Sequence, residues 1–96
     1  MIGLKRIVLD VLKPLEGVSL EELSKILSGV DGVSGVNISL LEIDKQTENI
    51  KITIEGSDIK NDQILKELEK RGAVVHSVDE VAAGSKMVES VETAQD

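Results

Sequence analysis

Leu4 to Lys13 carries large apolar side chains on one face of an extended chain and a mixed charged face on the other, and the rest of the chain is organised around this stretch. In an extended chain successive side chains point to opposite faces. Ile7, Leu9 and Val11 therefore share one face, flanked by Lys5 and Lys13. Leu4, Arg6, Val8, Asp10 and Leu12 share the other. The odd positions read as the core face of a central strand. The even positions read as a face open to solvent or to another subunit. Branched Ile7, Val8 and Val11 favour the pleated state. Pro14 removes a backbone donor and should end the strand.

The period then changes. Ser19-Leu20-Glu21-Glu22 has the form of a capping box, and Leu20, Leu23, Ile26, Leu27 and Val30 follow at helical spacing. This predicts a helix over Leu20 to Ser28, stopped at Gly29. A glycine-punctuated connection leads to a second strand, Val36 to Asp44, whose apolar phase slips at Leu40 and Leu41 and so predicts a bulge there. Lys45-Gln46-Thr47 makes a hairpin into a third strand, Glu48 to Glu55, with Ile50, Ile52 and Ile54 inward. A second helix begins between Ser57 and Asn61, carries Ile64, Leu65 and Leu68 inward, and stops at Gly72. A fourth strand runs from Ala73 to Ala82. After Gly84 and Ser85, Lys86 to Val91 can form a short fifth strand, before a frayed end.

Strand, helix, strand, strand, helix, strand is the order of two interlocked right-handed crossovers. It predicts an α+β, ferredoxin-like βαββαβ two-layer sandwich with a four-stranded antiparallel sheet of order 4-1-3-2. Residues 1–84 form one domain, and residues 85–96 an extension or edge strand. Both helices lie on one face, so the other is bare. On it the first strand offers Arg6, Val8 and Asp10, and the third Lys51, Thr53 and Glu55. The fourth, if its even positions face outward, offers His76, Val78 and Glu80. Antiparallel pairing then sets Asp10 beside Lys51 and His76, and Arg6 beside Glu55 and Glu80.

Composition narrows the functions. The 96 residues carry a formal charge of −7 and contain no Phe, Trp, Tyr or Cys. An acidic domain is a poor match for a phosphate backbone, and bases have no ring to stack on; nucleic-acid binding is not expected. Without cysteine there is no disulfide and no thiolate metal site. The interrupted start reads as no secretory signal, and no apolar run reaches membrane-spanning length.

Two candidate sites emerge. The first is the bare sheet face: Arg6, Val8, Asp10, Lys51, Thr53, His76, Val78 and Glu80. The lone His76 beside Asp10 would make a pH-sensitive anchor; the plainer reading is a charge ladder that keeps the face soluble or fixes register between subunits. The second is the acidic hairpin, Glu42, Asp44 and Glu48, whose carboxylates suit Ca²⁺; the plainer reading is a solvated turn in an acidic protein. No catalytic signature is present. His76 and Ser77 are strand neighbours that diverge, and Gly29 to Gly35 lacks the lysine of a phosphate loop.

Leu9-Asp10-Val11-Leu12-Lys13-Pro14, Glu42-Ile43-Asp44 with Thr47-Glu48, Ile50-Lys51-Ile52-Thr53, and His76-Ser77-Val78-Asp79-Glu80-Val81 with Gly84 together resemble an uncharacterised archaeal family of small ferredoxin-like proteins, a domain of unknown function. The likeness runs over nearly the whole chain. It implies a cytoplasmic setting and homo-oligomers, rings among them. It implies no established activity and no required cofactor, with Ca²⁺ as the one candidate. The chain departs from the family at Leu15, where a His is expected after Lys-Pro. The expected function is a non-catalytic homo-oligomeric module that binds a partner or small ligand through its sheet face. The alternatives are a divalent-cation binder or a purely structural oligomer component.

Overall fold

A computed structural model of the chain describes residues 3–91. Its elements are β1 (Leu4–Pro14), α1 (Leu20–Ser28), β2 (Val33–Ile43), β3 (Thr47–Gly56), α2 (Asn61–Lys70) and β4 (Val74–Ala83). They form one antiparallel sheet ordered β2-β3-β1-β4 with both helices packed on one face, the ferredoxin-like arrangement expected from the sequence.

The core follows from alternation. Ile7, Leu9 and Val11 of β1 meet Ile54, Ile52 and Ile50 of β3 in direct register. Leu23 and Leu27 from α1, and Ile64 and Leu68 from α2, close over them, and all of these side chains are buried. Burying each contributes about 1.5–3 kcal/mol relative to exposure, so this aliphatic layer is the main source of stability. The slip at Leu40 and Leu41 is a bulge: Leu40 pairs with Ile50 and Glu42 with Asn49, leaving Leu41 unpaired.

The helix ends obey local rules. Ser19 Oγ accepts from the Glu22 N–H at 3.1 Å, and Ser19 Oγ also hydrogen-bonds Glu22 Oε1 at 3.2 Å. The second helix lacks this device. Lys60 occupies its N-cap with no side-chain bond, since an ammonium has no acceptor to offer the first helical N–H groups, and Asp58 takes φ 55° in the turn before it. Its C-terminus has the Schellman pattern: the Gly72 N–H reaches Glu69 O, the Ala73 N–H reaches Leu68 O, and Gly72 takes φ 72°.

β1 ends at Pro14, as the sequence predicts; Pro14 pairs with Thr47 as the last residue of its strand, where a missing N–H costs least. Two features depart from expectation by more than one residue. β2 starts earlier, at Val33. Lys86–Val91 is not a fifth strand: beyond Gly84 the described chain joins no ladder. Gly84, at φ 108°, gives its N–H to Gly3 O at 2.9 Å and turns the chain off the sheet edge. Residues 92–96, expected to fray, lie outside the described residues.

Candidate functional site

The helix-free face is built from the even positions of β1 and whatever pairs with them. Arg6 faces Glu55, Val8 faces Thr53, Asp10 faces Lys51 and Leu12 faces Asn49. On the other side β4 departs from the simple alternation. Asp10 pairs with Ser77 and Val8 with Glu80, while Val78 pairs with Leu9 on the helix side. Two irregularities explain this: one extra residue, His76, stands between Val75 and Ser77, and another, Asp79, between Val78 and Glu80. Each insertion shifts the phase by one. The helix-side positions of β4 are therefore Val75, Val78 and Val81, three apart rather than two, and of these Val75 packs against the core while Val78 and Val81 stay exposed at the edge.

This corrects two site assignments. Val78 does not belong to the bare face, and His76 does not face Asp10. His76 is exposed at a bulge, and among the described residues it has no side-chain hydrogen bond or ion pair. The remaining members, Arg6, Val8, Asp10, Lys51, Thr53 and Glu80, do share one face.

Arg6 is the electrostatic centre of that face. Its guanidinium meets Glu55 at 2.9 Å, Glu80 at 3.2 Å and Glu89 at 2.6 Å. Glu89, from the segment after Gly84, binds it through both carboxylate oxygens. Hydrogen bonds donated to Glu89, then to Glu80 and Glu55, raise the Arg6 pKa above its ordinary value, so the group stays charged at any working pH. Reciprocally, the Arg6 hydrogen bond holds Glu89 below the usual carboxylate value. The sequence matched Arg6 with Glu55 and Glu80; Glu89 was out of reach because its segment was assigned to a strand.

The face is otherwise mixed. Leu12 and Val74 pair directly and are 41% and 62% exposed. Beside them, Asp10 Oδ1 and Asn49 Oδ1 are buried without a hydrogen-bond donor. Asp10 faces Lys51 in the ladder, yet no ion pair joins them among the described residues. Val8 and Ala82 are buried on this side, apart from the helix-covered core.

The structure does not bring Glu42, Asp44 and Glu48 together. Glu42 pairs with Asn49 on the bare face, whereas Glu48 pairs with Ile43 and Lys13 on the opposite one. Glu48 is committed to the Lys13 ammonium at 2.7 Å, and Lys13, 1% exposed, also donates to Pro14 O at 2.6 Å. Asp44 accepts from the Lys45 backbone N–H at 2.7 Å. No group of three acidic or histidine side chains able to hold a metal occurs among the described residues. Glu42 and Asp44 line a hollow of about 150 Å³ with Leu12, Thr47 and Asn49. Nor is any described helix long and apolar enough to cross a membrane.

Comparison with known proteins agrees with the resemblance carried by the β1, β3 and β4 motifs. The family model described as Uncharacterized ArCR, DUF211, matches residues 5–96. The Uncharacterized protein MJ0319 of Methanocaldococcus jannaschii is 47% identical over 96 residues, which span 100% of this chain and 98% of that protein. Likeness over this length fixes ancestry and architecture while assigning no reaction. On these grounds the chain belongs to DUF211, a family of uncharacterised archaeal proteins.

Proposed function

We propose that the protein is a non-catalytic, homo-oligomeric binding module of the cytoplasm that meets other copies of itself through the helix-free face of its sheet. One observation carries this reading: an exposed apolar pair, Leu12 and Val74, sits on that face beside two acceptor oxygens without donors, on Asp10 and Asn49. An apolar centre among polar groups is the usual make-up of a protein interface. A buried acceptor left unpaired costs about 1–3 kcal/mol, and a side-chain rotation that meets a partner's donor removes that cost. A closed ring is one form such assembly takes. A small ligand held between subunits would stabilise one assembly by mass action.

Sedimentation velocity tests this. Val74→Asp places a charge in the contact and should lower the oligomer mass while circular dichroism stays unchanged. Val78→Asp is the control, because Val78 lies on the helix side, in a groove of about 400 Å³ at the β4 edge. If only Val78→Asp dissociates the assembly, the contact is the β4 edge and the reading fails.

A further inference from the structure

Residues 85–91 carry no ladder pairing, and Val88 and Val91 are 69% and 84% exposed. The last backbone hydrogen bond before them is from the Gly84 N–H to Gly3 O, among the described residues. Among the described residues, the side-chain hydrogen bonds that join this segment to the sheet are the two from Arg6 to Glu89, and Met87 of the same segment is partly buried. We propose that residues 85–91 are a detachable strap, latched by Glu89 on Arg6, which occupies the β1–β4 end of the helix-free face and competes there with a second copy of the chain. The competition rests on the interface reading above; the latch does not.

Three features make the latch one that opens. Arg6 has more partners than it needs: Glu55 and Glu80 are fixed to it by their strands, so losing Glu89 leaves no unpaired guanidinium. The Glu89 side chain is 67% exposed, against 16% for Arg6, so water and salt readily replace its share of the bond. Gly84, in the left-handed region with open space around it, provides the hinge. There is also something to uncover. Val8 and Ala82 are only 7% and 9% exposed although no helix lies over them. With the strap lifted, they would extend the apolar contact begun by Leu12 and Val74.

The Lys86–Met87 bond gives a direct probe, since trypsin cuts only chain that has left the surface. In Glu89→Gln, cleavage after Lys86 should be about three- to fivefold faster than in the native chain at low salt, and 1 M NaCl should bring the two rates together. Equal rates at both salt concentrations overturn the latch. The same variant should assemble at lower protein concentration by sedimentation velocity, because a competitor has been weakened. Assembly that is unchanged or needs more protein overturns the competition. A native chain that stays monomeric at every concentration refutes the interface reading and with it the competition; the cleavage rates then decide the latch alone.

Discussion

Lys13 shows how one residue changes role when its neighbours are known. By alternation alone it flanks the core on the odd face of β1, yet its ammonium is enclosed, paired with Glu48 and donating to Pro14 O. Removing one partner of such a pair strands a buried charge. Glu48→Gln should therefore cost about 3 kcal/mol in chemical denaturation, by the same amount with and without Ca²⁺. A loss seen only with Ca²⁺ would return Glu48 to the role of a metal ligand. Gly56 is constrained differently: a Cβ there would overlap the Gly32 carbonyl oxygen, which also accepts from the Ser57 N–H at 2.8 Å. Backbone on both sides cannot yield, so Gly56→Ala should cost about 2–3 kcal/mol. Glu89, held below its ordinary 4.5 by Arg6, contributes stability that is complete above that value. That contribution is lost as pH falls through its lowered folded value. A carboxyl carbon NMR titration should place the Glu89 midpoint below 4.5 in the native chain and higher in Arg6→Gln.

Among the elements, β3 was fully legible and β4 was not. In β3 isoleucine recurs at 50, 52 and 54, and this one phase accounts for every buried residue of the strand. In β4 two inserted residues change the inward period from two to three, so a strict alternation puts Val78 on the wrong face and His76 opposite Asp10. The valines at 75, 78 and 81 carried the signal, but a spacing of three in a strand means bulges only once the partner strand is known. The acidic hairpin failed for a related reason: Glu42 and Glu48 are near in sequence and oppositely directed in the ladder. The strap was misread because Lys86–Val91 has strand composition, whereas its position is set by a distant arginine. From this geometry His76→Ala should change stability by less than about 0.5 kcal/mol in thermal unfolding. A larger loss would mean that His76 has a partner on β4.

For the whole molecule, the two faces of one sheet have different tasks. The helix side holds an aliphatic core without a single aromatic ring. The other side carries Arg6 with its carboxylates at one end and the apolar Leu12–Val74 pair further along the same strands. Burial beneath the two helices accounts for the first face, and the proposed self-association accounts for the second. Native mass spectrometry of the unmodified protein tests that claim most directly. The account predicts a discrete species at a multiple of the 10.3 kDa chain mass. A spectrum containing the 10.3 kDa species alone, at every concentration tried, would contradict it.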